Sequence, residues 1–201
     1  LGEHGRRAHT PGGRTQYDGR SDTGSITRSF GASSEMSREL DELQFTYGEG
    51  PCLDAVRGGA PVLAPDLAHG RGGRWPAFSA AAVDRGVRAV FALPASVASM
   101  RIGALDLYRT RPGGLDRTQL AGSLVAAEFA ALPLLDMMSS DLNAAVNDET
   151  SPAWTELTAF TRVEVYQAAG ILIAQLGVGP AEALVRLRAY AFAHNMTSSE
   201  V

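Results

Sequence analysis

Lysine is absent from these 201 residues, and all 18 basic positions are arginine. Against 22 acidic residues they leave a formal net charge of -4. Bulk charge therefore points neither to a general nucleic-acid binder nor to a protein of anionic membrane surfaces, and any nucleic-acid contact has to be local. Cysteine occurs once, at Cys52, which excludes an internal disulfide. The four scattered histidines form no pair at metal-ligand spacing, so neither a metal nor a cofactor is expected. No apolar run reaches the roughly 20 residues that span a bilayer. The opening LGEHGRRAHTPGGR carries charge without the apolar stretch of a signal peptide. The expectation is a soluble, cytoplasmic chain with no membrane partner. Isoleucine is scarce too, at four residues beside abundant Ala, Gly, Leu and Val, the bias of a high-GC genome.

What is present is a 45% hydrophobic composition, enough for one large domain or two small ones. Residues 1–34 read as an arm or as the incomplete start of the first domain, their first two dozen positions being rich in Gly, Arg, Thr and Asp without period. Helix formers take over at Glu35–Gln44, and the GEGP turn at Gly48–Pro51 separates them from a short helix, CLDAVRGG. PVLAPDL, bounded by Pro61 and Pro65, suits an extended edge segment. After the loop HGRGGR, a helix is expected over Trp75–Arg85 with Trp75, Phe78 and Ala82 inward, stopped by Gly86. VRAVFALPA and RIGALDLYR then form a hairpin across a polar turn near Ser99, with one face buried and the other partly covered.

Asp116 can cap a long helix carrying Leu120, Leu124, Ala127 and Ala131 on one stripe, which Pro133 should kink or interrupt. Residues 139–151, SSDLNAAVNDETS, are polar and mark the linker between a first domain at 35–138 and a second at 152–201. The second is expected to begin with a helix from Pro152 to Leu176. Trp154, Leu157, Phe160 and Val163 form one of its stripes, and Val165, Ala168, Leu172 and Leu176 a second. A surface that wide needs cover on two sides, for example from a neighbouring helix and a second subunit. Gly177 and Gly179 end that helix, and Pro180 starts another that leaves at Asn195. Thr197 and Glu200 have the spacing of a capping box, so the chain reads as cut at both ends, with a third helix expected past Val201.

Several blocks carry a family resemblance. LDELQFTYGEGPCLDAVRGGAPVLAPDL, RWPAFSAAAVDRGVRAVFALPASV and RIGALDLYRTRPGGL together resemble the GAF domains of high-GC Gram-positive bacteria. That resemblance implies an antiparallel sheet with flanking helices, and a sensory or dimerising role. RVEVYQAAGILIAQLGVGPAEALVRLRAYAFAHN resembles the ANTAR domain, with Ala168, Gly170, Leu172, Ala183, Leu187, Arg188 and Ala191 on the family's positions. Many members have Lys where this chain has Ala169. The implied fold is α+β: a GAF-like sheet domain, then an all-helical ANTAR-like domain that lacks its third helix. The implied function is a signal-responsive antitermination regulator that binds paired RNA hairpins, works as a homodimer and is not an enzyme.

The residues singled out keep two readings each. After the linker, Arg162, Arg186 and Arg188 face four glutamates, so charge alone suggests solvated helix faces. The resemblance assigns Arg188 and Arg186 to RNA, with Tyr190 or Gln167 stacking on or hydrogen-bonding to loop bases. Gly170 serves helix packing or close approach of RNA. Cys52 either lines a small-molecule pocket with Phe91, acts as a redox sensor, or is a small buried hydrophobe. The GEGP turn lacks the rest of a phosphate loop, and Asp66, Asp84 and Asp106 suggest no catalytic triad, so no catalytic residue is expected. Two alternatives stay open: a dimeric protein-interaction module without RNA, and a small-molecule enzyme built on the sensory fold.

Overall fold

A computed structural model describes residues 31–69, 73–98, 100–147 and 162–201. The expected arm up to residue 30, the hairpin turn at Ser99, and Pro152, Trp154, Glu156, Leu157 and Phe160 lie outside the described residues. In chain order the elements are α1 (Glu35–Tyr47), α2 (Pro51–Gly58), β1 (Val62–Ala64), α3 (Pro76–Asp84), β2 (Ala89–Val97) and β3 (Met100–Arg109), followed by α4 (Arg117–Asn147), α5 (Val163–Leu176) and α6 (Pro180–Ala193).

The three strands form an antiparallel sheet in the order β1-β2-β3. Ala89 pairs with Arg109 and Ala92 with Asp106, and the register slips at Ala95/Ser96. β2 is central, and every side chain from Ala89 to Leu93 is buried. The sequence suggested only partial cover for its second face. Instead helices close both faces. Val90 and Ala92 pack with Leu40, Leu43, Ala55 and Phe78 from α1, α2 and α3. Ala89, Phe91 and Leu93 pack with Ala127 of α4. Each large buried side chain contributes about 1.5–3 kcal/mol of transfer free energy.

α1 starts where the Ser34 hydroxyl accepts the Ser37 N–H at 3.2 Å, and ends at Gly48, whose φ of 66° is the left-handed cap conformation. It runs three residues past the expected Gln44, because no breaker precedes Gly48. This extension carries Phe45 into a separate cluster with Val165 and Leu187, so α1 has two apolar sides. Leu40 and Leu43 face the sheet domain, while Phe45, two positions and about 200° beyond Leu43, faces the last two helices.

Asp116 caps α4 as expected: its carboxylate accepts the Gln119 N–H at 2.8 Å, and Gln119 returns the bond to the Asp116 N–H at 3.1 Å. Pro133 does not interrupt the helix, which continues to Asn147. Residues 139–147 of the expected linker are thus helical, since Leu142, Ala144 and Ala145 outweigh the local polarity. Conversely, a continuous helix from Pro152 to Leu176 does not form. Arg162, with φ 50°, sets the start of α5 at Val163. Gly177 closes α5 in the left-handed conformation, Pro180 opens α6, and Asn195 leaves it at φ 54°. The Thr197–Glu200 capping pair forms, with the Glu200 carboxylate accepting the Thr197 N–H at 2.7 Å.

Candidate nucleic-acid interface

α5 and α6 meet through Val165, Ala168, Leu172, Leu184 and Leu187, and Phe45 of α1 completes this small core. Two arginines lie over the Phe45 ring, Arg162 at 4.3 Å and Arg188 at 4.7 Å from its centroid. Their electrostatic situations differ. Arg162 is 8% exposed and donates to Asp41 Oδ2 at 2.7 Å and Glu42 Oε2 at 2.8 Å. Burial alone would pull its pKa down, but the two carboxylates outweigh burial and hold it above the ordinary value. Asp41, Glu42 and Phe45 share one side of α1 because i to i+4 is one turn. The turn after α6 docks on the same side: Ser198 donates its N–H to Thr46 Oγ1 at 2.9 Å, and Ser199 its hydroxyl to Glu42 at 2.9 Å.

Arg188 is half-buried on that side. Its Nε is buried and has no hydrogen-bond partner among the described residues. Burial holds its pKa below the ordinary arginine value; the charges of Arg57 and Arg162 act the same way, against Tyr166 and Glu42. Arg188 and Tyr190 do not share a face, since two helical positions are about 200° apart. Tyr190 is 52% exposed and stacks on His194 with centroids 4.0 Å apart. Arg186, one turn before Tyr190, is exposed and paired with Glu182 at 2.6 Å. On α5, Gln167 and Gly170 are exposed. A Cβ on Gly170 would meet nothing within 4 Å, so no described element approaches closely enough to require glycine there.

Cys52 and Phe91 do not line one pocket. Phe91 is fully buried on the α4 face of the sheet, with Arg109 over its ring at 5.4 Å. Cys52 sits among groups of the opposite face, because Asp106 pairs with Ala92 and strand side chains alternate. There Gln44 joins three elements: its Nε2 donates to Asp106 Oδ2 at 2.8 Å, and its Oε1 accepts the Cys52 N–H at 2.8 Å. Tyr108 donates its hydroxyl to the same Asp106 oxygen at 3.0 Å. Gly50 is required beside this group, for its φ of 147° and because a Cβ would lie 2.3 Å from Gln44 Oε1. Burial pushes the Asp106 pKa up to about 6, against the hydrogen bonds from Gln44 and Tyr108. Burial, then the charges of Asp106 and Asp41, also raise the Cys52 thiol well above its usual value.

The described grooves lie elsewhere. One of about 460 Å³ runs between β3 and α4 along Leu105, Leu107, Leu115 and Ser123, and one of about 330 Å³ lies by Pro61, Val62, Trp75 and Ser79. Among the described residues no acidic, histidine or cysteine cluster could hold a metal ion. Among them, no single helix is long and apolar enough to cross a membrane. Asp66 does have a local histidine: it accepts from Ala68 N–H and bonds the exposed His69 ring in a tight turn. Glu49 of the GEGP turn is structural, accepting the Ala77 and Phe78 N–H groups at 2.7 and 2.9 Å at the start of α3.

Sequence reasoning missed Gln44, Phe45 and Arg162. A polar residue inside the apolar spacing of α1 was the available signal for Gln44. Phe45, off that spacing, was the signal for a second packing side. Nothing local marked Arg162, whose partners lie 120 residues earlier.

Comparison with curated proteins and with solved structures gave no match. Residues 158–201 match the family model of the ANTAR domain, known as a regulatory RNA-binding module of transcription antitermination. The match begins before Arg162 and takes in α5 and α6, which gather on Phe45, and the Thr197–Glu200 turn, which docks on Thr46 and Glu42. Residues 158–201 of the chain are therefore similar to the ANTAR domain.

Proposed function

We propose that the chain is a signal-responsive, RNA-binding antitermination regulator of the kind found in high-GC Gram-positive bacteria. In this reading a GAF-type sheet domain senses a small molecule or dimerises the protein, and the ANTAR domain binds RNA hairpins in the cytoplasm. The family match over 158–201 carries the reading. The exposed faces of α5 and α6 support it chemically. Arg186 is held only by an exposed i, i+4 pair with Glu182, worth a few tenths of a kcal/mol, which an RNA phosphate can displace. Tyr190 and His194 form an aromatic shelf on which an unpaired loop base can stack. Gly170 offers bare backbone, and Gln167 beside it an amide for base edges.

The homodimer of this reading uses α4, where Val125, Phe129 and Leu132 follow one another at i, i+4 and i+7. Phe129 is 76% exposed and Leu132 63%, a stripe suited to a second copy of the helix.

Titration of the full chain with an RNA carrying two adjacent hairpins tests the proposal. Binding that weakens with salt, and that a hairpin-free RNA of equal length does not reproduce, is the expected result. Equal affinity for both RNAs, or none for either, leaves a dimeric protein-interaction module as the function.

A further inference from the structure

α4 packs on β2 and β3 along the side that carries Ala127. At about 100° per residue, Thr118, Gly122, Val125, Phe129, Leu132 and Asp136 fall together on the opposite side. All six are exposed. Their spacing is 4, 3, 4, 3 and 4 residues, the repeat of a seam between two helices. The stripe has polar ends, an apolar centre and one gap. Gly122 is the gap: a Cβ there would meet nothing within 4 Å, so packing among the described residues does not require glycine, which weakens a helix interior relative to alanine.

Two copies can pair this stripe in two directions. Parallel pairing sets Gly122 against the partner's Gly122, which leaves a void, and Asp136 against the partner's Asp136, which like charge opposes. Antiparallel pairing about Ala127 sets Gly122 against the partner's Leu132 and Val125 against the partner's Phe129, so that each larger side chain faces a smaller one. It also sets Asp136 against the hydroxyl of the partner's Thr118, with the partner's Arg117 one position away, so that the carboxylate meets a donor and a cation. Glu128 lies about 80° from the centre of the stripe and stays at its exposed flank.

We propose that this side of α4 is the contact surface for a second copy of the chain, paired antiparallel about Ala127 so that Gly122 of each copy receives Leu132 of the partner subunit. The inference rests on the homodimer of the reading above and fixes its direction and register. It is independent of RNA. α1, α2 and α3 cover the other face of the sheet, and α5 and α6 rest on α1, so the pairing leaves α5 and α6 of both copies outside the interface.

The test uses the full chain. Sedimentation at micromolar concentration should give a dimer, and Phe129→Glu, which puts a charge at the centre of the seam, should weaken association at least about tenfold. The parent side chain is exposed, so the variant should keep the parent's circular dichroism. Direction is read by disulfide trapping in a Cys52→Ala background, where Gly122→Cys and Leu132→Cys variants are oxidised separately and as a mixture. In the antiparallel pair these two positions face each other, while each lies about 15 Å along the axis from its own equivalent, too far for a disulfide. A cross-linked dimer in the mixture alone is the expected result. Cross-linking of either variant by itself, or no cross-link in the mixture, overturns the direction and register. A monomeric parent, or a Phe129→Glu dimer as tight as the parent, overturns the surface itself. RNA binding is read separately by the hairpin titration, so the two readings fail independently.

Discussion

The sheet region and the last two helices solve the problem of burial differently. Around the sheet, helices from both sides close a core of the domain's own residues, and the central strand is buried over five consecutive positions. Among the described residues, α5 and α6 bring Val165, Leu187, Ala168, Leu172 and Leu184 to their core and complete it with Phe45 from α1. They leave Ile171, Leu176, Val185 and Phe192 exposed. Two helices are too little to enclose a core. The difference teaches that α1 belongs to both regions: one side holds the sheet, and the other supplies an aromatic ring, two carboxylates and a hydroxyl to the last two helices and the segments flanking them.

The sharpest way to break that arrangement is Phe45→Ala. Removal of a fully buried ring on which two guanidinium groups rest should cost about 3–5 kcal/mol. Denaturant unfolding should then split, with loss of helix preceding loss of the sheet-domain tryptophan signal. A single unchanged transition would mean that the output helices stand alone. Arg162→Ala is the next largest: it removes the guanidinium that pairs with Asp41 and Glu42 at a partly buried interface, for a loss of roughly 2–3 kcal/mol by the same measurement.

How much of this was legible follows from the range of the interactions. Elements set by local rules were readable: the caps at Asp116 and Gly177, the two strands with their alternation, and the Pro180 start of α6. What failed were judgements in which local and tertiary terms compete. Pro133 costs about 3 kcal/mol in a helix interior, yet α4 continues through it, anchored on the sheet by Ala127. Arg188 was assigned to RNA by resemblance, which says nothing about the Phe45 ring of α1 lying beside it. Of the candidate residues, Gln167, Gly170, Arg186 and Tyr190 are exposed, while Arg188 is the one drawn into the domain seam.

The sheet domain has its own weak point, which sharpens the comparison from the other side. The folded Asp106 pKa, raised to about 6, lies above the unfolded carboxylate value near 3.9. The folded state therefore binds this proton more tightly. Its contribution favours folding at low pH and is lost as pH rises from about 4 through 6. Asp106→Asn should remove that dependence and stabilise the protein at pH 8 by roughly 1–2 kcal/mol, at the lower end of what the shift allows because Gln44 and Tyr108 already bond the carboxylate. Thermal melts of parent and variant between pH 4 and 8 would show converging curves at the acid end. Parallel curves across the range would contradict the assignment.

The smallest effect is kinetic and leaves stability untouched. Cys52 is held as a thiol by burial and by the charges of Asp106 and Asp41, so a thiol reagent at pH 7.5 should label the native chain at least about tenfold more slowly than the denatured chain. Labelling at the denatured rate would place Cys52 in an open site instead.

Native-state hydrogen exchange on the unmodified chain tests most directly whether α1 is the shared element. If α5 and α6 owe their fold to Phe45, Asp41 and Glu42, their amides and those of residues 40–47 should become exchangeable through openings of similar free energy, below that of β2 and β3. If α5 and α6 instead keep their protection while residues 40–47 exchange freely, or open while α1 stays as protected as β2, the output helices are independent of α1 and the account is wrong.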